Sequence, residues 1–302
     1  MKNILFLLFL FAGLASCKKQ YTDSLPVVDV ISDSVLIDGH YRTFHYLKPS
    51  KDLVQPSLIF ILHGSGGTGK DMLAQTTKLE QLSKNEKLLL VYPDGYKKFW
   101  NGCRKMANTL AKIEKINENL FFDKMIFYFK NKFQINKNHI FAIGVSGGGD
   151  MAYKLALTMP DQIKGITAII ANLPDTNNMD CATSRTPVPV LIANGTADPV
   201  NPYNGGLDLI GSYNMGYVRS TDQTFKYWAA IAGYTGIPTK ETVFTPYKTN
   251  QQLIERYKYS ERGKPDVVLL KVIGGKHELP KGIDIFIEAW GFFKKQMNKT
   301  NE

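Results

Sequence analysis

The stretch Phe141-Ala-Ile-Gly144-Val-Ser146-Gly-Gly-Gly149-Asp150-Met-Ala-Tyr-Lys-Leu-Ala-Leu157 decides the fold. It begins as an apolar run of strand length and ends as a helical pattern. Between them, Gly144-Val-Ser146-Gly-Gly148 matches the G-x-S-x-G pattern of a sharp strand-to-helix turn, where small neighbours leave room for the backbone. Such a turn exposes the serine hydroxyl, and the N-terminus of the helix stabilises developing negative charge. The stretch predicts that Ser146 is a nucleophile.

Apolar runs alternate with helical patterns on both sides of this turn. The predicted strands are 58–62, 88–92, 140–145, 166–171, 188–193 and 267–273, and the predicted helices are 71–83, 120–133, 148–159, 222–232 and 283–297. Strands that are apolar on both faces are typical of a parallel sheet covered by helices. Residues 33–48 predict an antiparallel hairpin that turns at Asp38-Gly39. We therefore expect the α/β-hydrolase fold, a mostly parallel central sheet with an N-terminal antiparallel hairpin and helices on both faces.

A serine nucleophile requires a base, and this fold places the acid and then the histidine after the serine. Four of the five histidines precede Ser146, so only His277 remains, in the loop that follows the run 267–273. Asp198 follows the run 188–193 and is the expected acid, because an acid there can orient the imidazole. Asp175 also follows a predicted strand and is the competing candidate. The expected triad is Ser146, Asp198 and His277.

The segment His63-Gly64-Ser65-Gly66-Gly67 follows the first buried strand and resembles the His-Gly oxyanion motif of esterases. In that motif a backbone N–H of the loop acts together with the N–H after the nucleophile. We expect the oxyanion hole to be formed by the amides of Ser65 (or Gly66) and Gly147. His63 then orients the loop.

Two features suggest nucleotide or nucleic-acid binding, and neither is specific. Gly64, Gly69 and Lys70 have P-loop spacing, but Asp71 stands where magnesium binding requires Ser or Thr. The net charge is +10, yet the lysines are scattered and form no nucleic-acid motif. We expect no nucleic-acid partner.

The N-terminus predicts export. Lys2 precedes a short apolar run, and Leu14-Ala-Ser-Cys17 resembles the lipobox of bacterial lipoproteins, in which the cysteine is lipidated. The expected organisation is a signal peptide at 1–16, a tether at 17–31 and a single catalytic domain at 32–299, anchored by lipid to a membrane of the cell envelope. The apolar run is too short to span a bilayer. With Cys17 lipidated, Cys103 and Cys181 remain as a candidate disulfide in an oxidising compartment.

Five blocks occur in the order of one known family: 62–67, 91–95, 144–149, 195–200 and 274–277. They resemble the polyhydroxybutyrate depolymerase and feruloyl esterase group of α/β-hydrolases, related to carbohydrate esterase family 1. The resemblance implies ester hydrolysis through an acyl-enzyme at Ser146, Asp198 and His277, with no metal and no organic cofactor. The implied substrates are feruloyl or acetyl esters of plant polysaccharide, or short hydroxyalkanoate esters. Trp100 begins a stretch that resembles a shortened form of the family's Trp-Asn loop near the active site, and Tyr203 follows the block at 195–200; both are expected to contact substrate.

The segment 201–264, between the acid and the base, is rich in tyrosine and is expected to contribute a lid or pocket wall, or simply to pack one helix. Two other functions remain open: a peptidase on the same scaffold, and a catalytically inactive carbohydrate-binding lipoprotein. The sequence does not indicate an oligomeric state.

Overall fold

A ten-stranded sheet forms the centre of the protein, in a computed structural model that describes residues 29–47, 53–182, 184–244 and 252–299. The strands of this sheet and of a separate two-stranded sheet are β1 (Val30–Ile37), β2 (His40–Leu47), β3 (Ser57–Leu62), β4 (Leu88–Pro93), β5 (Ile140–Val145), β6 (Ile166–Ile169), β7 (Val190–Gly195), β8 (Gly206–Ile210), β9 (Tyr213–Val218), β10 (Thr239–Phe244), β11 (Ile254–Tyr259) and β12 (Val267–Val272).

The large sheet has the order β1-β2-β4-β3-β5-β6-β7-β12-β11-β10. The six central strands from β4 to β12 run parallel, and the strands at each end pair antiparallel. The N-terminal hairpin β1–β2 occupies one edge. This arrangement confirms the predicted fold class.

Helices cover both faces of the sheet. They are α1 (Gly69–Leu73), α2 (Thr77–Glu86), α3 (Leu110–Ile113), α4 (Glu118–Phe133), α5 (Gly147–Thr158), α6 (Thr221–Ile231) and α7 (Ile285–Lys299). One apolar cluster joins the sheet to α4, α5 and α6, and a second joins it to α1, α2 and α7.

Strand β3 shows why the central runs contain almost no polar residues. Leu58, Phe60 and Leu62 belong to the first cluster, while Ile59 and Ile61 belong to the second, and all five side chains are fully buried. Burying one such side chain stabilises the fold by about 1.5–3 kcal/mol. A polar residue on either face would lose that contribution and also require a buried partner.

Three features of the fold differ from the sequence prediction. The helix expected over 71–83 is divided into α1 and α2, because the buried Thr76 hydroxyl donates to the Met72 carbonyl and lies 2.9 Å from the Tyr92 hydroxyl. The segment 201–264 also contains two hairpins that were not predicted, β8–β9 and β10–β11. Strand β1 starts at Val30, within the expected tether.

The candidate disulfide is present: Cys103 and Cys181 are bonded, with 5.1 Å between their Cα atoms and 78 residues between them in sequence. Closing a loop of this length stabilises the folded state by about 4.5 kcal/mol in the chain-entropy description. The bond joins the loop after β4 to the segment before β7. The predicted signal peptide, Cys17 and most of the tether lie outside the described residues. No helix in the described ranges is long and apolar enough to cross a membrane.

Candidate active site

Ser146 lies on the turn between β5 and α5, with φ 53° and ψ −117°. Two glycines make the turn possible by close approach of the backbone. A Cβ on Gly144 would lie 2.0 Å from the Gly148 carbonyl oxygen, and a Cβ on Gly148 would lie 2.3 Å from the Leu62 carbonyl oxygen. The strain at Ser146 is therefore maintained by its neighbours, which project its hydroxyl above the sheet.

The three residues of the expected triad form one hydrogen-bonded chain. Ser146 Oγ lies 2.9 Å from His277 Nε2, and His277 Nδ1 lies 2.8 Å from Asp198 Oδ2. Because a carboxylate only accepts, Nδ1–H donates to Asp198, which leaves Nε2 free to accept the proton of Ser146. The loops after β7 and β12 bring the acid and the histidine to the carboxyl edge of the sheet.

Asp198 is buried, and the amides of Val200 and Asn201 donate to its other carboxylate oxygen at 2.8 and 2.9 Å. The carboxylate therefore has one orientation toward His277. The competing candidate, Asp175, instead accepts from the amide of Asn178 within its own turn. The geometry favours Asp198 as the partner of the histidine.

The expected oxyanion donors lie side by side. A Cβ placed on Gly147 would be 3.1 Å from the backbone nitrogen of Ser65, so the two main chains are in near contact. Gly147 is the first residue of α5, where the amide has no partner within the helix. The Gly66 N–H donates to the Lys98 carbonyl at 2.9 Å. Of the two alternatives in this loop, Ser65 is therefore the better-placed donor.

His63 supports this loop from behind. Its Nδ1–H donates to the Gly64 carbonyl, its Nε2 accepts from the Gly95 amide at 2.9 Å, and its own carbonyl accepts from the Trp100 indole at 2.9 Å. Burial lowers the pKa of His63, so the ring is neutral near pH 7. These contacts describe an orienting residue.

A second Ser–His–Asp arrangement occurs in the β1–β2 hairpin. Ser32 Oγ lies 2.8 Å from His45 Nδ1, and His45 Nε2 lies 3.1 Å from Asp94 Oδ2. In His45 the nitrogen Nδ1 faces the serine and Nε2 faces the aspartate, whereas in His277 the nitrogen Nε2 faces the serine and Nδ1 faces the aspartate. Ser32 lies in a regular strand, not on a glycine turn at a helix N-terminus. The geometry therefore favours Ser146 as the nucleophile and makes Ser32 a natural control.

The space around Ser146 has two parts. An open cleft of about 400 Å³ contains His277 and is bounded by Asp71, Gln75, Val200 and Leu209. A smaller recess of about 10 Å³ adjoins the cleft, with which it shares Ser65, Ser146, Ile170 and Ile210, and His277 does not line it. Its other walls are Trp100, Arg104, Gly147, Asp150, Asp208 and Met215.

The two residues expected to contact substrate have different positions. Trp100 lines the recess. Tyr203 lines neither part, because its side chain is buried and its hydroxyl donates to Asp222 at 3.0 Å. The ring packs between the loop after β7 and the start of α6, and contact of Tyr203 with substrate stays a prediction.

The sequence reasoning missed an ion cluster at the recess. Arg104 Nη1 donates to Asp208 at 2.5 Å, and Arg104 Nε lies 3.3 Å from an oxygen of Asp150. All three residues are at most 4% exposed. Burial raises the pKa of Asp150, and the charge of Arg104 opposes that shift. Asp150 follows the nucleophile by four residues, which was the available signal.

Comparison with known proteins gives the family. The profile of a family described as phospholipase/carboxylesterase matches residues 46–209, more than half of the chain. The putative esterase NocK of Nocardia uniformis is 25% identical over 185 residues, which is 60% of this chain and 52% of that protein. Feruloyl esterase B of Neurospora crassa is 22% identical over 242 residues, which is 70% of this chain and 80% of that protein. The match to NocK thus spans about half of its length.

Among solved structures, an acetyl xylan esterase from Aspergillus awamori aligns with a TM-score of 0.60 at 17% identity, covering 87% of this chain and 99% of that one. This likeness supports the fold. The feruloyl esterase among the relatives confirms the resemblance found in the sequence.

Proposed function

The chain belongs to the phospholipase/carboxylesterase family, and from this premise we propose that it is a serine carboxylic ester hydrolase that acts through an acyl-enzyme. The observation that carries the proposal is the hydrogen-bonded chain from Ser146 through His277 to Asp198. A serine hydroxyl becomes a nucleophile when a base within hydrogen-bonding distance takes its proton.

In the proposed mechanism, His277 removes the proton as Ser146 Oγ attacks the ester carbonyl. The amides of Ser65 and Gly147 stabilise the oxyanion, because they are fixed where the negative charge develops. The imidazolium is stabilised by Asp198 and gives its proton to the departing alcohol. Water then attacks the acyl-enzyme with the same base, and the acid product leaves.

The proposed substrates are feruloyl or acetyl esters of plant polysaccharide, or short hydroxyalkanoate esters. The names of the relatives support esters in general and feruloyl esters in particular. We also propose that the protein is exported and attached to the envelope by lipid at Cys17. Cys17→Ala tests this, because it should abolish incorporation of radiolabelled palmitate and move the protein from the membrane to the soluble fraction.

The experiment for the hydrolase is turnover of an ester panel by the full chain. The panel contains p-nitrophenyl acetate and butyrate, methyl ferulate, acetylated xylan and a hydroxybutyrate oligomer. We expect at least one ester to be hydrolysed, with loss of turnover in Ser146→Ala and full turnover in Ser32→Ala. Turnover of peptides alone would favour the peptidase. A folded protein that turns over neither class would favour the inactive carbohydrate-binding protein.

A further inference from the structure

The oxyanion loop, residues 63–68, is attached at both ends to one short segment. At its start the His63 ring accepts from the Gly95 N–H at 2.9 Å, and just after its end the Gly69 N–H donates to Asp94 Oδ1 at 2.7 Å. Asp94 and Gly95 directly follow β4, which pairs in parallel with β3, the strand that leads into the loop. The proposed oxyanion donor of the loop lies between these two attachments, so its direction depends on them.

The Asp94 carboxylate joins the oxyanion loop to strand β2. While Oδ1 accepts from Gly69, Oδ2 accepts from the Thr43 hydroxyl at 2.5 Å and from His45 Nε2 at 3.1 Å. The main chain of Asp94 is held as well, because its N–H donates to the Thr43 carbonyl at 2.9 Å and its carbonyl accepts from Arg42 at 3.0 Å. The carboxylate therefore has a fixed position from which it holds the Gly69 N–H.

The same contacts keep Asp94 ionised. Burial opposes ionisation, yet the hydrogen bonds from His45, Thr43 and Gly69 lower the pKa of Asp94 to about 2. Hydrogen bonds to an ionised acceptor are shorter and about twice as strong as those between neutral groups. The contact between Gly69 and Asp94 is therefore a strong attachment at neutral pH.

We propose that Asp94 is a positioning residue for oxyanion stabilisation and that it acts through Gly69 on the Ser65 amide. The inference rests on the proposed function and adds to it a residue outside the triad and the oxyanion hole. Asp94 lines neither the cleft nor the recess, so it has no direct role in the reaction. Without its carboxylate the end of the loop is free to move, and a displacement of about 1 Å in a stabilising group costs about 100-fold in rate.

The test measures p-nitrophenyl acetate hydrolysis by the full chain, by Asp94→Ala and by Asp94→Asn. We expect kcat to fall by about ten- to 100-fold in Asp94→Ala with little change in KM. Asp94→Asn should recover most of the loss, because an amide oxygen still accepts from the Gly69 N–H. A trifluoromethyl ketone forms an adduct with Ser146 whose oxyanion lies on the same donors. Its inhibition constant should rise in Asp94→Ala by about the factor by which kcat/KM falls.

Asp266→Ala is the matched control. Asp266 also accepts hydrogen bonds from other parts of the chain, from Ser260 at 2.7 Å and from Lys299 at 2.6 Å. It directly precedes β12, whereas His277 follows that strand, so Asp266 lies at the opposite edge of the sheet from the active site. The control should lower the urea midpoint and leave kcat and the inhibition constant unchanged. Every kcat is expressed per site labelled by a fluorophosphonate, so that unfolded molecules are not counted.

Undiminished kcat in Asp94→Ala, a loss confined to KM, or an unchanged inhibition constant would overturn the positioning role. The hydrolase itself would then stand, provided that turnover disappears in Ser146→Ala. A loss of kcat in Asp266→Ala as large as that in Asp94→Ala would also overturn it, because the effect would then follow from stability. Absence of both turnover and labelling in the unaltered chain would remove the proposed function, and the role of Asp94 with it.

Discussion

Gly147→Ala perturbs the proposed oxyanion hole by adding one atom. Gly147 is the first residue of α5 and does not have a positive φ, so alanine suits the backbone and improves helix propensity by up to about 1 kcal/mol. The new Cβ would lie 2.4 Å from Ser65 Oγ and 3.1 Å from the Ser65 nitrogen. Because favourable contacts between heavy atoms lie near 3.5 Å, the Ser65 hydroxyl must rotate away and the Ser65 amide, the proposed oxyanion donor, must shift by about 0.4 Å.

Loss of one oxyanion donor costs about 100- to 1,000-fold in kcat, and a donor that is shifted but present retains part of that contribution. We expect kcat for p-nitrophenyl acetate to fall by about ten- to 100-fold in Gly147→Ala, with an unchanged or higher urea midpoint. The double variant Gly147→Ala/Ser65→Ala removes the closest contact and should recover part of the loss. Gly291→Ala, in α7, has nothing within 4 Å of the added atom and is the matched control. Undiminished kcat in Gly147→Ala would refute the placement of the oxyanion.

Three further predictions concern the residues around Ser146. Asp198→Asn should lower kcat about 10,000-fold with little change in KM, because the amide holds the imidazole in the wrong tautomer, with its proton on Nε2; a loss below about tenfold in kinetic assays would assign the acid role elsewhere. Arg104→Met should destabilise the protein by about 3–5 kcal/mol in urea unfolding, since two buried carboxylates lose their partner, and an unchanged midpoint would contradict this. Because burial lowers the pKa of His63 in the folded protein, the unfolded chain protonates this ring at a higher pH, near the ordinary value of about 6.5. Stability should therefore fall by up to about 1.4 kcal/mol per pH unit below that value, and His63→Gln should show a shallower decline when both are unfolded in urea between pH 7 and 5.

The central sheet was predictable because its strands are buried on both faces. In such strands every residue is apolar, as in 58–62 and 140–145, so the sequence records the burial directly. The division between α1 and α2 was not predictable from periodicity. It depends on the contact of Thr76 with Tyr92, a residue 16 positions away whose proximity exists only in the fold.

The sequence did not predict the β8–β9 hairpin, because β8 buries a charged residue and exposes apolar ones. Asp208 points inward, whereas Leu207 and Leu209 are 38% and 51% exposed. Alternation normally places the apolar side chains inside, so this strand suggests the wrong face. The partner that makes the inversion tolerable is Arg104, 104 residues earlier in the chain. Gly211-Ser212 between the two strands is a hairpin signal that could have been used.

The triad was accessible from sequence because chain order and elimination leave one histidine after Ser146. The recess beside Ser146 was not accessible from sequence, since its walls come from separate segments, among them the loop after β4 with Trp100 and Arg104, α5 with Asp150, and β9 with Met215. The Cys103–Cys181 disulfide and the β8–β9 hairpin hold parts of these segments in place.

Ser146 is the proposed nucleophile, and covalent labelling identifies the nucleophile of a serine hydrolase. The full chain is treated with a fluorophosphonate probe, digested, and the modified peptide is identified by mass spectrometry. We expect one stoichiometric label on Ser146, lost in Ser146→Ala, strongly reduced in His277→Ala and retained in Ser32→Ala. A label on Ser32, or undiminished labelling of Ser146→Ala, would contradict the account.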